Sequence, residues 1–186
     1  MRIAFSNGRL RSTQANTYSD VGGFEMPSEA MAPEELVTLI STWLNLITNR
    51  IGEFGGTLDT YIGDAASAWW AGNGEVPARK ACHCAKSMVA ELEKLNGEFR
   101  ARGWPQVKMK VGINTGRVTL GTYGTTKRLR FTVLGDAVNM ASRLCGLAHQ
   151  QYSHSILITG STQAALGNEI PPPWLILSGS RGMTRR

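Results

Sequence analysis

The 186-residue chain predicts one mixed α/β domain, with helices and strands alternating around a single mixed sheet. Apolar residues recur at helical spacing over two long segments, and the stretches between and after them are short, β-rich and bounded by glycine or Asn/Asp turns. At 42% apolar content a chain of this length buries one substantial core.

Taken in order, Met1 to Ser12 has weak periodicity and reads as a flexible lead-in over residues 1–12. Thr13 to Tyr18 is expected to form the first strand, although Gln14 and Asn16 are unusual for a buried central strand. Ser28 to Pro33 opens a helix, with Pro33 at an early position and Glu34 and Glu35 at the positive end of its dipole. Leu36, Leu39, Ile40, Trp43, Leu44 and Ile47 form its buried face, and Phe54-Gly55-Gly56 ends it. Two short strands then flank a turn at Gly63-Asp64, the second carrying Ala68, Trp69 and Trp70. A second helix, from about Pro77 to Arg102, buries Ala81, Ala85, Met88, Val89, Leu92 and Leu95. A hairpin is expected next, Val107 to Ile113 and Arg117 to Gly121, turning at Asn114-Thr115-Gly116. Phe131 to Leu134 is strand-like and leads through Gly135 into a helix starting at about Ala137, with Asp136 placed to cap it. Ser155 to Thr159 reads as a strand and Ser161 to Leu166 as a short helix.

Composition excludes several classes of function. Arg2, Arg9 and Arg11 at one end and Arg181, Arg185 and Arg186 at the other account for the whole net charge of +6. A neutral body with basic ends is not a nucleic-acid stripe, so no nucleic-acid partner is expected. The most hydrophobic part, Leu36 to Ile51, is interrupted by Thr38, Ser41, Thr42, Asn45, Thr48 and Asn49, so no membrane segment is expected in the chain. The N-terminus lacks a signal-peptide apolar stretch, and Cys82, Cys84 and Cys145 do not make an even disulfide framework. Together these predict a cytoplasmic protein, or the soluble domain of something larger. Cys82-His83-Cys84 has no second ligand pair at zinc spacing. Gly121 to Lys127 lacks the Gly before Lys and the hydroxyl after it that a P-loop needs, and no G-x-G-x-x-G follows a strand.

Three segments carry the chemistry. In Phe131 to Arg143, Asn139 and Arg143 stand four residues apart on one helix face and can converge on one ligand. Tyr18-Ser19-Asp20-Val21-Gly22-Gly23-Phe24 and Gly56-Thr57-Leu58-Asp59-Thr60-Tyr61-Ile62-Gly63-Asp64 each carry an aspartate within two residues of a glycine. The three together, in this order, closely resemble the catalytic domain of class III nucleotide cyclases, the adenylyl and guanylyl cyclase family in its bacterial form. The resemblance covers roughly Tyr18 to Gly160 and marks residues 13–170 as the catalytic domain, followed by a divergent basic tail over 171–186. It implies an α+β fold, a ferredoxin-like βαββαβ core with a mixed, mostly antiparallel sheet and helices packed on one side.

The resemblance also implies the roles. Asp20 and Asp64, with the backbone carbonyl of Val21, would hold two divalent ions, Mg²⁺ or Mn²⁺, for which oxygen ligands are suited. Asn139 would orient the ribose and Arg143 would neutralise phosphate charge, a task for a planar fork that keeps its charge. Gly22, Gly23 and Phe24 would let backbone N–H groups approach phosphate. Lys110 stands where the family often has a phosphate-binding Arg, and keeps the charge without the fork. Thr60 and Thr132 would meet the purine, with Thr60 in place of the Lys of adenylyl cyclases or the Glu of guanylyl cyclases. The implied reaction is conversion of ATP to 3′,5′-cyclic AMP and pyrophosphate in a head-to-tail homodimer, each site using metal aspartates from one copy and the Asn/Arg helix from the other. Thr60 keeps GTP open as an alternative substrate. Glu25, in place of the usual Thr, and the absence of any Lys after Lys127 keep open a weakly active or inactive nucleotide-binding or dimerisation module, unless Arg181 substitutes.

Overall fold

The computed structural model describes residues 9–10, 15–22, 31–72, 75–125, 127–148, 155–167 and 174–177. Among them the chain runs β1 (Arg9–Leu10), β2 (Ala15–Gly22), α1 (Pro33–Glu53), β3 (Thr57–Ile62), β4 (Ala65–Trp70) and α2 (Glu75–Ala101). It continues through β5 (Lys110–Arg117), β6 (Thr119–Thr125), β7 (Arg128–Leu134), α3 (Asp136–Leu147), β8 (Ile156–Thr159), α4 (Gly160–Leu166) and β9 (Trp174–Leu177). Six strands form one sheet in the order β3-β4-β2-β5-β8-β9, and three form another in the order β1-β6-β7.

The run β2-α1-β3-β4-α2-β5 is a βαββαβ unit whose strands lie in the order β3-β4-β2-β5, each antiparallel to its neighbour. That is the ferredoxin-like core the resemblance implies. β8 and β9 extend it in parallel beyond β5.

Side-chain size and spacing explain how the layers close. Leu39, Trp43, Ile47 and Ile51 are buried one turn apart along α1, which begins at Pro33 as its missing N–H allows. The Trp43 indole N–H donates to the Asp64 carbonyl at 3.1 Å, and the Trp70 indole donates to the Phe54 carbonyl at 3.1 Å. These two bonds pin opposite ends of the β3–β4 hairpin to the α1 region. Asn96 on α2 donates to the Val107 carbonyl at 2.9 Å and accepts from the Val107 N–H at 2.8 Å, fixing the chain before β5.

Alternation along β5 and β8 separates two faces. Val111, Ile113, Ile156 and Ile158 join the main core with α1, α2 and Leu166 of α4. Leu157 packs instead with Leu144 and Ala148 of the α3 segment, while Gly112 and Gly116 back onto α3 itself. The expected packing on one side therefore holds for α1, α2 and α4, with α3 set against the opposite face.

Three expectations are corrected. No turn forms at Asn114-Thr115-Gly116: β5 runs straight through, pairing Asn114 with Tyr18 and Gly116 with Asn16. Buried Asn114 is held in the strand by bonds to other elements, and Gly116 is small because Ala137 packs on it, not because the chain reverses. The hairpin lies one strand later, between β6 and β7, with Thr125 opposite Arg128. Asp136 is the first residue of α3 rather than its cap; Gly135 occupies the cap position, and no side chain caps the helix. The strand expected to end at Tyr18 continues to Gly22, so Asp20 belongs to a strand; Thr13 and Gln14 lie outside the described residues. In addition, Arg9–Leu10, within the segment read as lead-in, pairs with β6, and Trp174–Leu177, within the segment read as tail, pairs with β8.

Candidate active site

Asp20 is an interior residue of β2, in register with Ser67 on β4 and Gly112 on β5. Asp64 follows Gly63, whose φ of 62° suits glycine, in the tight β3–β4 turn. Val21 pairs with Ala66, so the part of β2 carrying Asp20, Val21 and Gly22 runs beside the start of β4, which follows directly on the turn that holds Asp64. Burial of Trp43 sets the position of that turn through the bond to the Asp64 carbonyl. Among the described residues no three of His, Cys, Asp and Glu converge. The two carboxylates and backbone carbonyl that the resemblance implies are an oxygen-only set, of the kind that Mg²⁺ or Mn²⁺ takes. Gly22 lies opposite Lys110, which is 9% exposed at the start of β5, so the expected phosphate cation adjoins the expected phosphate glycine. Gly23, Phe24, Glu25 and Arg181 lie outside the described residues.

The helix that carries Asn139 and Arg143 is seated by small residues. Ala137, Ala141, Leu144 and Cys145 are its buried side, and it packs on β2 and β5. A Cβ on Gly112 would overlap the Ala141 carbonyl oxygen and lie 2.5 Å from the Cys145 nitrogen; one on Gly116 would lie 2.8 Å from the Ala137 Cβ. Asn114 donates to the Ala137 carbonyl at 3.0 Å, while its own oxygen accepts from Thr159 at 2.7 Å and Ser161 at 2.9 Å. Cys145 Sγ lies 3.5 Å from the Lys110 carbonyl as a donor. With its inner face held in this way, α3 leaves Asn139 and Arg143 exposed and pointing away from the sheet. Met140 on the same helix is 41% exposed, and Phe131 and Leu134 on β7, the strand before it, are 49% and 45% exposed.

The two expected purine contacts come from different sheets. Thr60 is half-buried on β3, with its hydroxyl 3.0 Å from the Tyr61 carbonyl. Thr132 is half-buried on β7 and donates its hydroxyl to Asp59 Oδ2 at 2.7 Å. Asp59 Oδ1 accepts from the Val133 N–H at 3.3 Å. This aspartate, one residue before Thr60, joins the two strands.

The structure thus brings Asp20, Val21, Gly22, Lys110 and Asp64 onto adjacent backbone segments, and links Thr60 to Thr132 through Asp59. Asn139 and Arg143 face outward on α3. Sequence reasoning missed Asp59, Asn114 and Gly112. An acidic residue inside a strand pattern was the signal for Asp59, and Gly112 and Gly116, spaced to share one strand face with Asn114 between them, were the signal for a helix seat.

The family described as adenylate and guanylate cyclase catalytic domain matches residues 14–171 of this chain. Adenylate cyclase 1 of Rhizobium meliloti is 35% identical over 151 residues, covering 79% of this chain, and adenylate cyclase of Anabaena cylindrica is 40% identical over 149 residues, covering 77%. The chain spans only 22% and 29% of the lengths of those two proteins. Among solved structures, the guanylyl cyclase Cya2 superposes with a TM-score of 0.75 at 28% identity, covering 88% of this chain and 83% of that one. The adenylyl cyclase CyaB from P. aeruginosa gives 0.73 at 29% identity, covering 82% and 79%.

Proposed function

Because the chain belongs to the class III nucleotide cyclase family as a catalytic domain, we propose that it converts ATP to 3′,5′-cyclic AMP and pyrophosphate at a site shared by two copies. The single observation that carries this reading is the exposed pair Asn139 and Arg143 on α3, a helix that also exposes Met140 and buries Ala137, Ala141, Leu144 and Cys145 on its other side. A face of that kind suits a second copy, whose aspartates would complete the site.

In the proposed reaction the ribose 3′-oxygen attacks the α-phosphorus and the bond to pyrophosphate breaks, within one nucleotide. Asn139 orients the ribose so that the attacking oxygen is held in line. Arg143 bonds phosphate oxygens bidentately and neutralises charge as the ring closes. Lys110 adds a point charge beside Gly22, toward the triphosphate. Asp20, Asp64 and the Val21 carbonyl would hold the divalent ions, which when bound supply the positive charge that acidifies the 3′-hydroxyl and steadies the leaving pyrophosphate. Localisation is proposed as cytoplasmic; no helix among the described residues is long and apolar enough to cross a membrane.

A second reading, cyclisation of GTP, is favoured by Thr60 standing where adenylyl cyclases carry Lys. Incubating purified protein with ATP or GTP and Mn²⁺ or Mg²⁺ at several protein concentrations tests both. Cyclic AMP with a rate per chain that rises with concentration is the expected result. Cyclic GMP alone would transfer the reading to the second substrate, and no cyclic product from folded protein would overturn both.

A further inference from the structure

We infer that Asp59 is a specificity-determining residue that acts through Thr132, setting the threonine hydroxyl to accept and so selecting a purine with an amino group at the 6-position. This rests on the proposed reading that Thr132 meets the base.

The pairing of β3 with β4 carries an irregularity at Asp59. Leu58 pairs with Ala68 and Thr60 with Ser67, which are consecutive residues of β4, so Asp59 has no partner and forms a bulge. A bulge re-aims a side chain and bends the strand. Here it turns the Asp59 carboxylate across to β7, a strand of the other sheet, where it takes the Thr132 hydroxyl at 2.7 Å and the Val133 N–H at 3.3 Å. Asp59 thereby satisfies an outward N–H of an edge strand and fixes Thr132 in one rotamer.

The electronic consequence follows from the hydroxyl's inventory of one proton and two lone pairs. A threonine free to rotate serves either an amino or an oxo group, and discriminates weakly. With its proton committed to Asp59, Thr132 has only lone pairs to offer a ligand. Adenine presents an N–H donor from its 6-amino group. A 6-oxo purine presents an acceptor there, and two acceptors facing each other leave both unpaired, which is the kind of mismatch that discriminates strongly. Asp59 is thus a positioning residue: it acts on the base only through Thr132.

Inosine triphosphate isolates this effect, because it replaces the 6-amino group by oxo without adding the 2-amino group of guanine. The ratio of kcat/KM for ATP over inosine triphosphate is measured in the wild type and in Asp59→Asn. The wild type favours ATP by about tenfold or more, and Asp59→Asn, which can donate to Thr132 and free its proton, lowers that ratio at least about fivefold. A merely structural role would lower both rates together and leave the ratio alone. If Asp59→Asn fails to fold, judged by thermal melting, the Thr132 variants decide: Thr132→Ser keeps the ratio and Thr132→Val loses it. An unchanged ratio in folded Asp59→Asn, or in Thr132→Val, overturns this inference and leaves the cyclase reading intact. A wild type that forms no cyclic product from any nucleotide overturns both.

Discussion

Gly112 lies directly beneath Ala141: the only atom it could gain as alanine, a Cβ, would overlap the Ala141 carbonyl oxygen and sit 2.5 Å from the Cys145 nitrogen. The obstruction is helix backbone, which cannot rotate aside. Gly112→Ala therefore lifts α3 from β5 rather than merely crowding it. The variant is expected to lose about 1 to 3 kcal/mol of stability, the usual cost of overpacking, with a larger proportional loss of cyclase rate. Urea denaturation and product assays on the same preparation check this. A stable variant with full activity would show that α3 has another seat.

Asn114 should behave differently, because it acts by bonding rather than by absence of bulk. Asn114→Ala leaves the Ala137 carbonyl without its donor and Thr159 and Ser161 without their shared acceptor, in a buried setting. The expected cost is about 1 to 3 kcal/mol. Asn114→Asp keeps the acceptor but sets an oxygen against the Ala137 carbonyl, and should be no better than alanine. Denaturation midpoints of the two variants give the comparison.

These two residues also mark where the sequence stopped being legible. Asn-Thr-Gly is strong turn chemistry, and nothing local reveals that Asn114 is a buried bridge or that Gly116 makes room for Ala137. Tertiary packing overrode a correct local rule. The long amphipathic helices were legible because burial of Leu39, Trp43 and Ile47 follows directly from their spacing. The turn at Gly63-Asp64 was legible because it needs a left-handed residue, and Gly63 supplies one. At the candidate site, Asn139 and Arg143 were legible as a pair because a helix makes their spacing meaningful. Asp59 was not, because its role depends on a bulge and on a strand more than seventy residues away.

Arg143 is expected to be intolerant of the swap to lysine, which keeps charge and loses the planar fork. Arg143→Lys should lower kcat with little change in KM, and Arg143→Ala should lower kcat by about a hundredfold to a thousandfold. Because the side chain is exposed on α3, neither should change the melting temperature appreciably. A stability loss matching the activity loss would assign Arg143 to the fold instead.

Burial pushes the Cys82 and Cys84 thiols from an ordinary 9.0 up to about 12. The folded state therefore keeps protons that the unfolded state releases above pH 9. Their contribution to stability is complete below that pH and is lost as pH rises toward 12. At about pH 10.5 the loss should be on the order of 1 to 2 kcal/mol per thiol. Urea midpoints measured at pH 8 and again near that value should fall further for the wild type than for a Cys82→Ala, Cys84→Ala variant. Parallel slopes in the two proteins would rule out the thiols as the source.

The most direct test of the shared site mixes two inactive variants. Asp20→Ala removes a carboxylate from one half of the proposed site, and Arg143→Ala removes the guanidinium from the other half. Each alone should form almost no cyclic AMP. In an equal mixture, random pairing makes about half of the dimers mixed, each with one intact site of two, so cyclic AMP formation should return to about a quarter of the wild-type rate per chain. A mixture as silent as its components, from variants that fold and dimerise, would contradict a site built from both copies.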